Sequence, residues 1–125
     1  MEVVAAVIER DGRILICQRK RGGPHALKWE FPGGKVEPGE DSPSALAREL
    51  REELRIEASI GPLLHIEMQP IRLEFYRVTA FSGEPVNLVF EQILWEDRRN
   101  LPHYDFLEGD LEFVKKLANQ TLDSE

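Results

Sequence analysis

Residues 33–54 read GGKVEPGEDSPSALARELREEL, and this stretch restricts the fold more than any other. Its first part, with Pro32-Gly33 and Pro38-Gly39, cannot be helical. Ser42 offers an N-cap with Pro43 at the first helical position, so the pattern predicts a helix over 43–54. Leu46, Leu50 and Leu54 recur every four residues with Ala47 beside them and form its buried stripe. At 100° per residue, Glu49, Glu52 and Glu53 fall within about 100° of one another on the wheel, next to that stripe. Like charges at this spacing repel by about 0.2–0.5 kcal/mol per pair. Arg48 stands one helical turn before Glu52 and pairs with it; no other cation on the helix serves the cluster. The crowding reads either as a solvated acidic face or as a seat for a divalent cation. Mg²⁺ takes oxygen ligands and favours one or two carboxylates plus substrate phosphates. Gly33 and Gly34, lacking Cβ atoms, let the backbone approach a ligand closely or simply make a tight turn.

The charge balance has a matching asymmetry. Residues 12–36 hold Arg13, Arg19, Lys20, Arg21, Lys28 and Lys35 against one acid, Glu30. Residues 37–57 hold seven acids against Arg48, Arg51 and Arg55. A basic segment beside an acidic helix suits a site for phosphate and metal together, or two oppositely charged solvated surfaces. The net charge of −7 argues against stable nucleic-acid binding. With one cysteine, Cys17, the chain forms no internal disulfide and no cysteine-based zinc site, which suits a reducing, cytoplasmic setting. The longest apolar run, VVAAVI at 3–8, falls far short of the ~20 residues that cross a bilayer, and no basic leader precedes it.

The remaining pattern is mixed. EVVAAVIE and RILICQR, joined at Asp11-Gly12, predict a hairpin; KRGGPHALK is a loop, and WEF a short strand. Gly61-Pro62 is expected to break the chain before strands at 63–69 and 71–81. A further strand is expected at 88–95, and a closing helix over 110–118 with Leu111, Val114, Leu117 and Ala118 on one side. The 125 residues suit one domain, 1–125, of α/β or α+β class, a sheet flanked by helices.

Together, Gly34, Glu40, Arg48, Glu49, Leu50, Glu52, Glu53 and Ile56 resemble the Nudix box at fixed spacing over 23 positions. One position departs: Arg55 stands where the family carries a helix-ending glycine. Arg19, the phrase WEFPGGKVEPGE and the chain length are similar to the MutT-type branch. The resemblance implies an α/β/α sandwich around a mixed sheet. It also implies hydrolysis of a nucleoside triphosphate to monophosphate and pyrophosphate with Mg²⁺ or Mn²⁺. The nucleotide is then the small-molecule partner, and the protein a monomer or homodimer with no membrane role.

Residue by residue, the resemblance makes Glu49 and Glu53 metal ligands, Glu52 a ligand or neighbour of one, and the Gly33 carbonyl a further oxygen donor. Arg48 orients Glu49, and Glu40 ties the loop to the helix or tunes the metal waters. Glu49 or Glu91 serves as general base. Arg19 contacts substrate, Phe31 walls the base pocket or packs in the core, and Asp110 faces the base or caps the last helix. Relatives specialised for oxidised guanine carry Asn at that last position, whereas HYDFLEGDLEF looks more like the cytidine-triphosphate-cleaving relatives. Substrates left open are 8-oxo-dGTP, cytidine nucleotides, ADP-ribose and a capped RNA end; a non-catalytic nucleotide-binding module is the non-enzymatic alternative. His25, His65 and His103 lack ligand spacing, and Trp29 and Trp95 read as packing groups.

Overall fold

The computed structural model describes residues 1–68 and 70–119. The strands are β1 (Glu2–Val7), β2 (Glu9–Arg10), β3 (Arg13–Gln18), β4 (Trp29–Glu30) and β5 (Gly33–Lys35), followed by helix α1 (Ser42–Leu54). Then come β6 (Glu57–Glu67), β7 (Arg72–Ser82), β8 (Gln92–Asp97) and helix α2 (Leu111–Asn119). One sheet runs β5-β1-β7-β6; the β1–β7 pair is parallel and its other pairs are antiparallel. The second places β3 between β2, β4 and β8.

Alternation along β1 and β3 builds two cores from two strands. Val4, Ala6, Leu15 and Cys17 turn to one face and meet Leu46, Leu50 and Leu54 of α1. Ala5, Val7, Ile14 and Ile16 turn to the other and meet Phe113, Val114 and Leu117 of α2. The result is a mixed sheet layered between helices, as the Nudix resemblance implies. Among the described residues no helix is long and apolar enough to cross a membrane.

Four local expectations are corrected. The N-cap of α1 is Asp41, whose extended backbone lets its carboxylate accept from Ser44 N at 2.8 Å, and Ser42 is the first helical residue. Gly61-Pro62 does not break the chain. β6 lies at the sheet edge, where proline's missing N–H is tolerated, and register shifts around Ile60 and Leu63 absorb the irregularity. Residues 88–91 are not strand. The side chain of Asn87 donates to Phe90 O (2.9 Å) and accepts from Phe90 N (2.8 Å), while Val86 N and Leu88 N donate to the α1 carbonyls of Leu54 and Glu53 (2.9 and 3.1 Å). Leu111, expected on the buried side of the last helix, is 45% exposed, and Asp110 ends a short 3₁₀ turn before α2.

Arg55 ends α1 at φ 59°, ψ 37°, its N–H bonded to Arg51 O at 3.0 Å. The chain therefore keeps the left-handed path of a helix-ending glycine and bears the steric cost of a Cβ there. Arg55→Gly is expected to stabilise the fold by about 1 kcal/mol, read as a higher urea midpoint with an unchanged slope.

Candidate active site

Arg48 joins the loop to the helix. It donates to both oxygens of Glu40, at 2.7 Å from Nε and 3.0 Å from Nη2. Nη1 reaches Glu49 and Glu52, each at 3.2 Å, and Nη2 reaches Lys35 O at 3.1 Å. Glu40 also accepts from Glu37 N at 3.0 Å, and these bonds, that from Arg48 first, hold its carboxyl below the usual range. The carboxylates around it hold the Arg48 guanidinium well above its ordinary value.

Glu53 lies deeper. Its Oε1 accepts from Gly33 N at 3.1 Å. Burial first, then repulsion from Glu49, pushes its carboxyl up to about 9, against the single opposing Gly33 bond. Burial also raises Glu49, which Arg48 offsets. The paired glycines make this approach possible. A Cβ on Gly34 would stand 2.4–2.7 Å from the Glu49 carboxylate, and one on Gly33 1.9 Å from Val4 O. β5 can thus lie flat between β1 and the acidic face of α1 only without side chains there.

Arg19 follows β3. Its Nη1 donates to both oxygens of Glu30 at 3.2 Å, and its Nε donates to Pro24 O at 3.0 Å. The loop beyond it holds His25 and Leu27 at φ 54° and 63°, each a strained position for such a residue. Bonds from Leu27 N to Arg19 O (3.1 Å) and from Arg19 N to Lys28 O (2.8 Å) close it.

Glu30 is the acid that motif reasoning missed. Burial raises its carboxyl, Arg19 opposes that rise, and Glu30 in turn raises both Glu53 and Asp110. The signal was present in the sequence as the lone acid of the basic segment. Asp110 is 4% exposed. Burial first, then Glu30, pushes it up to about 8, against the Phe31 backbone N–H. Glu49, Glu53, Glu30 and Asp110 thus form a chain of mutually interacting acids from α1 to the start of α2.

Phe31 is buried against Phe75, Phe106 and Phe113, with ring centroids 5.3–5.9 Å apart. Glu91 stands apart from the α1 cluster. Its carboxylate faces Arg21 at 3.5 Å, its N–H donates to Gln18 O at 2.8 Å, and among the described residues none of its hydrogen bonds reaches α1. As placed, no three acidic, histidine or cysteine side chains among the described residues converge closely enough to enclose a cation: Arg48 holds Glu49 and Glu52, and Gly33 holds Glu53. The donor set is nonetheless hard oxygen throughout, as Mg²⁺ requires, and the Glu52 side chain is 58% exposed.

A NUDIX domain model matches residues 1–115. The CTP pyrophosphohydrolase of Escherichia coli (strain K12) is 38% identical over 120 residues, spanning 92% of this chain and 89% of that protein. The 8-oxo-dGTP diphosphatase of Haemophilus influenzae is 32% identical over 127 residues, spanning 97% and 93%. A MutT structure described for Aliivibrio salmonicida and Vibrio cholerae superposes with a TM-score of 0.85 at 32% identity, covering 96% of this chain and 98% of that one.

The Asp110 carboxyl binds its proton more tightly folded (about 8) than at its ordinary value of 3.8. Its contribution to stability is complete below about 3.8 and lost as pH rises through about 8. Asp110→Asn should therefore match the wild type near pH 4 and exceed it increasingly toward pH 9, by at most about 6 kcal/mol. Urea midpoints of both proteins across that range check this; Glu53 titrates in both and cancels from the difference.

Proposed function

This chain belongs to the Nudix family, and on that premise we propose that it hydrolyses nucleoside triphosphates to the monophosphate and pyrophosphate with Mg²⁺. The observation that carries the reading is the acid cluster of α1 set against Gly33 and Gly34, linked through Glu30 to a buried Asp110. One end suits a cation and phosphates, the other a base.

Glu49, Glu52, Glu53 and the Gly33 carbonyl would hold the cation. Bound there, it offsets phosphate charge and lowers the pKa of a water. The protein's own residues do the rest. Arg48 keeps Glu49 and Glu52 on the loop side of the helix. Glu53, its carboxyl raised by burial beside Glu49, would hold a cation only as the carboxylate, so cation binding there would release its proton. Arg19, anchored on Glu30, presents its charge to the phosphates. A carboxylate takes the proton of the attacking water; Glu49 sits within the cluster, whereas the Glu91 carboxylate lies against Arg21 beside the end of β3, which favours Glu49.

Asp110 would meet the base. A carboxyl pushed up to about 8 is largely neutral at pH 7, so it presents one acceptor and one donor. That pair complements the N4–H and N3 of cytosine, and equally the N7–H and O6 of oxidised guanine. Adenine (N6–H with N1) and unmodified guanine (N1–H with O6) offer the same kind of pair, so the carboxyl alone does not choose among the bases. The relatives from Escherichia coli and Haemophilus influenzae, a CTP pyrophosphohydrolase and an 8-oxo-dGTP diphosphatase, favour CTP, dCTP and 8-oxo-dGTP as the substrates, ahead of ADP-ribose or a capped RNA end.

Pyrophosphate release across a panel of triphosphates with Mg²⁺ tests this directly. Activity confined to a diphosphate sugar, with no triphosphate turned over, sinks it. Glu53→Gln should lower turnover by at least about a hundredfold. Because the amide is neutral folded and unfolded, whereas a carboxyl raised to about 9 must take up on folding a proton that the unfolded chain does not hold at pH 7, the metal-free unfolding midpoint at pH 7 should rise.

A further inference from the structure

A helix leaves the carbonyls of its last turn without partners inside the helix, and the last turn of α1 is where Glu53 stands. Arg55 N donates to Arg51 O at 3.0 Å. The carbonyls of Glu53 and Leu54 are served from outside, by Leu88 N at 3.1 Å and Val86 N at 2.9 Å. Both donors belong to the segment between β7 and β8, which is neither helix nor strand. One side chain shapes it. Asn87 Oδ1 accepts from Phe90 N at 2.8 Å, and Asn87 Nδ2 donates to Phe90 O at 2.9 Å. These two bonds close a turn over residues 87–90, a use to which asparagine is well suited. The Leu88 N–H lies inside that turn. Phe90, at its far side, is buried in the same core as Leu46, Leu50 and Leu54. The ends of the segment are tied down separately. Arg10 donates to both oxygens of Glu84, at 2.8 and 3.0 Å, and Glu91 N donates to Gln18 O at 2.8 Å.

Glu53 is therefore held on two sides. Its main-chain carbonyl accepts from the Leu88 amide, and its side chain accepts from the Gly33 amide of β5 at 3.1 Å. A residue bonded in this way links the loop to the paired glycines, and a shift at one contact passes to the other through a few covalent bonds. We propose that Asn87 is a positioning residue for Glu53: by closing the turn over residues 87–90 it aims the Leu88 amide at the Glu53 carbonyl, and so fixes the end of α1 against β5. The leucine stripe does not do this alone, because apolar packing is non-directional. The bearing of Asn87 on metal binding rests on the proposed function; its bearing on the place of Glu53 does not.

The test compares Asn87→Ala, which removes both side-chain bonds, with Asn87→Ser, whose hydroxyl closes the same turn more weakly. Val114→Ala, a change in the opposite core, is the control for lost stability. In the metal-free proteins the readout is hydrogen exchange at the Gly33 amide, which is remote in sequence from residue 87 and keeps its intrinsic rate. Exchange should quicken about five- to tenfold in Asn87→Ala, the scale of one lost hydrogen bond, and less in Asn87→Ser. Mn²⁺ binding followed by electron paramagnetic resonance should weaken on the order of tenfold in Asn87→Ala. Val114→Ala should lower the urea midpoint and leave both readouts unchanged. Unchanged Gly33 exchange in folded Asn87→Ala overturns the proposal. So does an equal change in Val114→Ala. If Asn87→Ala does not fold, Asn87→Ser decides by the same criterion. Quickened exchange with unaltered Mn²⁺ affinity supports the placement of Glu53 and overturns its bearing on the metal. Wild-type protein that binds no Mn²⁺ refutes the metal assignment instead, and the Gly33 readout still decides the role of Asn87.

Discussion

The Arg48 guanidinium is the contact on which the arrangement of the site depends. It bonds to Glu40 and Lys35 of the loop and to Glu49 and Glu52 of the helix. Without a cation at that point, three acids and a backbone carbonyl would face each other across the space between β5 and α1. With it, a proline- and glycine-rich loop that forms no regular structure beyond the three residues of β5 acquires a fixed path. A lysine would not substitute, because the bonds diverge from one planar fork that a single ammonium cannot reproduce.

The two helices meet the sheet differently, and the difference suits their roles. α2 packs Phe113, Val114 and Leu117 into an aromatic core with Phe31, Phe75 and Phe106, an interaction tolerant of small shifts. α1 packs aliphatic side chains, and main-chain bonds from Val86 and Leu88 hold its C-terminal end. An acid that keeps hydrogen-bond distance to a backbone amide, as Glu53 does to Gly33 N at 3.1 Å, is served by that directional attachment.

Much of this was legible in the sequence, for identifiable reasons. The leucine spacing defined α1, and the paired glycines marked where backbone and helix meet. The missing glycine at Arg55 pointed to a left-handed residue, which the backbone adopts. The cap was not legible: Asp41 and Ser42 are both good caps, and only backbone dihedrals choose between them. Nor was the run through Gly61-Pro62, which depends on β6 being an edge strand, or the path of residues 88–91, which follows a contact distant in sequence. Glu30 was missed for a related reason: it sits in a short strand where alternation reads an acid as facing water, and Arg19, eleven residues away in sequence, folds against it.

The segment after β7 attaches to the end of α1 through its main chain, leaving Val86, Leu88 and Val89 each 43–44% exposed. Peptide groups are the same whatever residue carries them. This segment can therefore take substitutions at these positions that alter its shape and chemistry while the carbonyl of Glu53 keeps its partner. The attachment secures the acid-bearing helix and leaves an adjacent border free to change.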